Sequence, residues 1–336
     1  MRNRLRKELA RMVFVCVMFA MGFVLAIAPT PVNCQEAAYP SKAVEVVVPF
    51  SPGGSVAMAS QHFADALSQE LKVPFVVVPR PGGGGVIASN DFVHNVKPDG
   101  YTLLGTAPGA IIPSVLLSKT PPFDVKKDFL PVGYLGDTSI AIAVQGNSPF
   151  KTIQDMIQFA KSNPGKLRGG VSGPGSETDL MFYAFYSDAK IDGKRIPYNT
   201  GPQAKTALMG GHIDWTISSY MGLMPYVESK DMRILLATRK LPELPDVPTG
   251  RDIGLPNFTV DIWAGYFAHA KTPKGAYDKL VTAITKVSKN PDLPKKFAKI
   301  GFDYKFKNPA EMSQIIDNDI ATFARIIKAV GLKEAK

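Results

Sequence analysis

Glycine and hydroxyl side chains come together in three short segments of this 336-residue chain, at residues 51–55, 106–109 and 172–176, a combination suited to holding an anion. A carboxylate needs hydrogen-bond donors without a competing negative charge, and glycine-bearing strand-to-helix turns offer backbone N–H groups at the positive end of a helix. The first segment contributes Ser51, Gly53, Gly54 and Ser55 as candidate ligand-binding residues, the second Thr106, and the third Ser172, Gly173 and Ser176, with Thr178 just beyond. Tight turns alone would also explain these glycines. Tyr198, Tyr220, Trp215 and Trp263 are candidates to wall a pocket, although aromatic side chains in α/β proteins more often serve the core. Tyr198 is placed in the candidate site with Ser218 and Ser219, which follow a strand ending at Ile217. Arg80, beside the glycine run 82–85, could pair with an anion or brace its own loop.

The same residues do not assemble a catalytic constellation. Gly170-Val171-Ser172-Gly173-Pro174 ends in proline where a nucleophile elbow needs glycine, and no Walker glycine-lysine-serine/threonine run occurs. Ile87 stands where a dinucleotide fingerprint starting at Gly82 needs its third glycine. Ser148 with Lys151 and Ser187 with Lys190 fit Ser-x-x-Lys, a pattern loose enough to arise by chance and here without a companion motif. Histidine is limited to His62, His94, His212 and His269, with no pair at metal-ligand spacing. Both cysteines, Cys16 and Cys34, fall in or beside an N-terminal apolar segment. No catalytic residue, metal site or cofactor is expected.

The elements that must position these turns read as α/β. A β-branched run at 43–48 is broken by the Pro-Gly-Gly turn before a helical period over 55–71, and 75–78 is a second strand. A helix over 86–96 stops at the turn 97–100, and 101–105 makes a third strand. Further on come a strand at 140–144, a helix over 152–162 capped by Thr152, a strand at 167–171 and an aromatic-rich helix to about 188. A helix at 202–209, strands at 213–217 and 233–238, and a last helix over 309–330 complete the pattern. Repeated strand-helix-strand units of this length predict parallel sheets with crevices at the carboxyl ends of the strands.

At 45% hydrophobic, the chain is long enough for two domains with separate cores. Its first 34 residues run from basic (Arg2, Arg4, Arg6, Lys7 and Arg11 against Glu8) through the uncharged stretch 12–28 to small and polar residues, which is the pattern of an export signal cut after Cys34. A short membrane anchor is the competing reading. Lipid attachment at Cys34 is disfavoured by the absence of a small residue before it. Losing five positive charges and one negative would lower the formal net charge from +10 to +6. The remaining charges are scattered, which argues against a nucleic-acid partner and for a surface mildly favourable to anions.

Six motifs recur in order along the mature chain: Tyr39-Pro-Ser-Lys42, Val48-Pro-Phe-x-Pro-Gly-Gly54, Arg80-Pro-Gly-Gly-Gly-Gly85, Pro98-Asp-Gly-Tyr-Thr102, Asn163-Pro-Gly-Lys166 and Leu244-Pro-Asp-Val-Pro-Thr249. Together they resemble the receptors of tripartite tricarboxylate transporters, the Bug or TctC-like periplasmic binding proteins. The resemblance implies a two-lobed periplasmic binding fold in which the chain crosses between lobes twice. Lobe 1 would comprise residues 39–140 and 240–336, lobe 2 residues 141–239, with the ligand cleft between them closing by a hinge. It also implies a monomer, located in the periplasm, that passes a small carboxylate to membrane transporter subunits; a ligand sensor for a sensor kinase and a secreted hydrolase are the alternatives. Two departures stand out. The family usually has Asp where this chain has Ala57, and often Asp or Asn where Ser218 and Ser219 follow the strand. Fewer acidic groups point away from ligands with an amine and toward plain carboxylates.

Overall fold

The computed structural model describes residues 39–332 apart from Pro174, with isolated positions at 4, 7, 8 and 12, so all but those four positions of the expected export segment lie outside the described residues. Val44–Val48 (β1) carries four valines, and such a run, buried on both faces, favours a central strand. It pairs in parallel with Phe75–Pro79 (β2) on one side and Thr102–Thr106 (β3) on the other. Ser55–Leu71 (α1) and Val86–Asn95 (α2) connect them, and α1 buries Val56, Ala59, Phe63 and Leu67 at helical spacing. After the short helix Pro113–Leu116 (α3), the ten-residue strand Phe129–Thr138 (β4) leads out of this first sheet.

Ile140–Gln145 (β5) opens a second sheet, followed by Ile153–Ser162 (α4), Arg168–Ser172 (β6), Glu177–Ala189 (α5), Lys194–Tyr198 (β7), Gly201–Met209 (α6), Trp215–Ser219 (β8), Tyr220–Glu228 (α7) and Met232–Ala237 (β9). Thr152 caps α4 in a reciprocal box with Asp155. The chain then returns to the first sheet as Ile262–His269 (β10) and finishes with Lys274–Val287 (α8), Asp292–Lys299 (α9), Asp303–Lys307 (β11) and Pro309–Ala329 (α10). The strand orders are β11-β4-β10-β3-β1-β2 and β7-β6-β8-β5-β9.

Neither sheet is wholly parallel, which corrects the sequence expectation. β10 runs antiparallel to β3 and β4, and β5 antiparallel to β8 and β9. The reason is the crossing. β4 leaves the first sheet at the end where β1 to β3 also finish, so the strand that enters the second sheet, and later the one that re-enters the first, must point the opposite way.

Each sheet has its own aromatic core. Phe63 meets Phe297 edge to face at 5.7 Å in the first, and in the second Trp215 stacks on Phe182 at 5.2 Å. The Trp215 and Phe182 rings fill the space left by the missing side chain of Gly169.

The two crossings lie side by side, tied by Ile140 N donating to Thr238 Oγ1 at 3.0 Å. Arg239 follows at once. Its guanidinium bridges Asp137 from the outgoing crossing, Asp261 from the returning one at 3.1 Å, and Asp303 of β11 at 3.0 Å.

Candidate ligand-binding site

Strands β1, β2, β6, β7 and β8 end around one cavity of about 150 Å³, and the segments leaving them form its wall. Phe50, Ser51, Gly53, Gly54 and Ser55 come from the turn after β1, and Gly82, Gly84 and Gly85 from the turn after β2. Ser172, Gly173, Ser176, Glu177 and Thr178 come from the end of β6, Asn199 to Pro202 and Lys205 from beyond β7, and Ser218, Ser219 and Gly222 from the end of β8. Ile262, at the start of the reversed strand β10, closes the wall. A cavity of this volume is of the size that takes a small organic molecule.

Helices α1, α5, α6 and α7 all start on this wall, so four positive helix ends face one space. Two of them are capped by their own serines: Ser176 Oγ accepts from Asp179 N at 3.4 Å and Ser219 Oγ from Gly222 N at 3.2 Å. The other two, opened by Gly54 and Thr200, have no side-chain cap, which leaves first-turn N–H groups for a ligand. Close approach is possible because of glycine. At Gly85 (φ +98°) a β-carbon would lie 3.3 Å from Pro49 Cβ, and at Gly173 (φ +61°) one would lie 3.1 Å from Gly84 Cα across the cleft.

The hydroxyls divide into two groups. Ser176 Oγ and Thr178 Oγ1 both donate to Ser172 O at 2.9 Å, and since each has one proton, these side chains hold the turn and can only accept from a ligand. Ser172 and Ser218 instead converge over Gly201, where a β-carbon would lie 3.9 and 3.8 Å from their Oγ atoms.

Two ionisable side chains line the cavity among the described residues, Glu177 and Lys205, and the sequence reading singled out neither. Glu177 opens α5, buried, with Oε2 lacking a hydrogen-bond partner. Burial pushes its carboxyl up to about 7, outweighing the N–H groups of Glu177 and Gly109 that favour the charged form. A β-carbon on Gly109 would overlap that carboxylate, so Gly109 provides the hole into which it fits. Lys205 lies on α6, its Nζ donating to Gly222 O at 2.6 Å and sitting 5.4 Å from the Tyr226 ring centre. Burial lowers its pKa.

Of the twelve residues expected in the site, ten lie on the wall. Thr106 is fully buried within β3, with Ala107 O at 3.5 Å as the acceptor for its hydroxyl, and its segment reaches the site only indirectly, through Gly109 behind Glu177. Tyr198 packs on the second sheet's core and lines a separate surface groove with His212. The other aromatic candidates are also internal: Trp215 in its stack, Trp263 donating to Asp319 at 2.7 Å and Tyr220 donating to Glu243 at 3.1 Å. Phe50 is the aromatic residue of the wall. Arg80 is occupied by Glu45 at 2.8 Å and Asp91 at 3.1 Å, and Ala57 is buried in the first turn of α1.

Residues 59–332 match the family model described as "Tripartite tricarboxylate transporter family receptor". Protein BugT of Bordetella pertussis is 27% identical over 321 residues, covering 93% of this chain and 97% of the relative. Among solved structures, the periplasmic binding protein BugD superposes with a TM-score of 0.82 at 25% identity, covering 88% of this chain and all of BugD. An R. palustris protein solved with adipate gives 0.81 at 27% identity, covering 87% and 98% of the two chains. These likenesses carry the two-lobed periplasmic binding fold over nearly the whole described chain.

Proposed function

The chain belongs to the tripartite tricarboxylate transporter receptor family, and on that premise we propose that it captures a small carboxylate between its two lobes and presents it to a membrane transporter of the tripartite tricarboxylate type. The observation that carries this reading is the meeting of four helix N-termini, two without side-chain caps, around one small cavity with Lys205 on its wall. Aliphatic di- and tricarboxylates suit that wall better than aromatic acids, because Phe50 is its one aromatic ring among the described residues. The adipate held by the R. palustris relative is an acid of this kind.

In this reading lobe 1 comprises residues 39–140 and 240–336 and lobe 2 residues 141–239, with the paired crossings at Ser139 and Thr238 as the hinge. Residues 1–34 serve as the export signal, and the mature protein works in the periplasm, where BugD is described as a binding protein. Ser51, Gly53, Gly54, Ser55, Ser172, Gly173, Ser218 and Ser219 contact the ligand, while Ser176 and Thr178 shape the turn.

A thermal-shift screen of di- and tricarboxylates, aromatic acids and amino acids tests the reading. A true ligand at a hundred times its Kd stabilises the fold by roughly 2.7 kcal/mol. If amino acids or neutral solutes raise the melting temperature and no carboxylate does, the proposal is wrong.

A further inference from the structure

Lys205 stands on the cavity wall with no carboxylate to neutralise it: among the described residues no Asp or Glu lies within ion-pair distance of its Nζ. Burial alone shifts its pKa, with no neighbouring charge acting against the loss of water. An ammonium has three protons to donate, and Gly222 O accepts one. Beyond that carbonyl, its neighbours are the Tyr226 ring, 5.4 Å from Nζ to the ring centre, and two serine hydroxyls. A β-carbon on Gly222 would lie 3.1 Å from Lys205 Nζ, 3.0 Å from Ser219 Oγ and 3.3 Å from Ser218 Oγ, so three polar atoms from α6 and β8 crowd one spot, left open because residue 222 has no side chain. The start of α7 adds its positive end beside them. Keeping an unpaired cation half-buried opposes folding unless something anionic joins it.

We infer that Lys205, with the hydroxyls of Ser218 and Ser219, forms the subsite that takes an ionised carboxylate end of the ligand, so that charge as well as shape decides what the cleft admits. The inference rests on the carboxylate reading above and adds a charge-assisted bond to it, where the turns alone would hold the anion by neutral donors. Glu177 does not oppose this, because its carboxyl is lodged against Gly109 and does not pair with the lysine. A purely mechanical account would make Lys205 a strut between α6 and α7. That role would not distinguish an acid from its amide.

Calorimetric titration of adipate and of adipamide into the protein, the Lys205→Met variant and the Lys205→Arg variant, each at low and high salt, separates these accounts. The expected result is tighter binding of adipate than adipamide by the unaltered protein, and about a tenfold to hundredfold loss of adipate affinity in Lys205→Met. The preference for acid over amide and the salt dependence should shrink in Lys205→Met and persist in Lys205→Arg. Lys205→Met without ligand should melt no lower than the parent, which shows that the loss is not misfolding. Undiminished adipate affinity and salt dependence in Lys205→Met would overturn the subsite while leaving the carboxylate reading intact. Binding of adipamide but not adipate by the parent would overturn both.

Discussion

Ser55 and Ser219 touch across the cleft: Ser55 Oγ, on the first turn of α1, donates to Ser219 Oγ at 3.4 Å, and Ser219 at the same time caps α7. One serine belongs to the first sheet's layer and the other to the second's. Their roles in stability differ for that reason. Ser219→Ala removes a helix cap and should lower unfolding stability by about 1 kcal/mol, whereas Ser55→Ala removes only a long hydroxyl contact and should cost less than about 0.5 kcal/mol. Urea titration of both variants without ligand checks this, and equal losses would count against the assigned roles.

The turns themselves should be less forgiving than their hydroxyls. Gly173 has φ +61°, and at Gly54 a β-carbon would press on Ser51 O at 3.0 Å. Gly173→Val or Gly54→Val should therefore weaken carboxylate binding by more than Ser172→Ala, which forfeits about 0.5–3 kcal/mol depending on whether its partner is charged. Calorimetry on folded variants decides it; glycine variants that bind like the parent would place the anion elsewhere.

Glu177 should make stability depend on pH. Burial pushes its carboxyl from an ordinary 4.5 up to about 7, so its contribution is fully present below pH 4.5, declines as pH rises through the interval, and is gone above 7. Asp319, pushed up to about 6 by burial, adds a loss of the same sign in a window that ends near pH 6. Glu177→Gln should thus gain on the parent as pH rises, by up to about 3 kcal/mol. Melting curves at pH 4.5 and pH 8 measure the difference, and parallel behaviour of the two proteins would show that the carboxyl is not held neutral.

Arg239 is expected to be a point of weakness if removed. Arg239→Met would leave Asp137, Asp261 and Asp303 together at the crossings with Lys305 as their remaining cation, at a cost of about 3–5 kcal/mol. Adding Asp261→Asn should recover part of that loss. A urea midpoint unchanged in the single variant would refute the prediction.

What could be read from the sequence was local. Four valines before Pro49, and Thr152 before an apolar period, specify a strand and a capped helix from their own neighbourhoods. The glycine-serine turns after β1 and β6, being strand-to-helix junctions, led to two of the segments that build the cavity wall. The rest depends on residues far apart in the chain. Lys205 reads as a solvent-facing lysine on a short helix until Gly222, seventeen positions later, opens the space beside it. Glu177 reads as an ordinary first-turn acid, and Gly109 is what allows its burial. Trp215 and Trp263 are buried, the commoner fate of aromatic side chains in α/β proteins, but nothing in their neighbourhoods excluded the pocket. The position of β10 was not legible, since its partners β3 and β4 lie more than a hundred residues earlier.

That position has a consequence for the newly made chain. When the ribosome has added residue 261, every strand of the second sheet exists, but the first sheet has a gap at its centre, because β10 is the strand that joins β3 to β4. The early strands must wait for the last quarter of the polypeptide, and such distant pairings form slowly. A chain released short of β10 would carry the three-stranded piece β3-β1-β2 and an unpaired β4, both with bare edges exposed to aggregation, alongside a second sheet with all its strands.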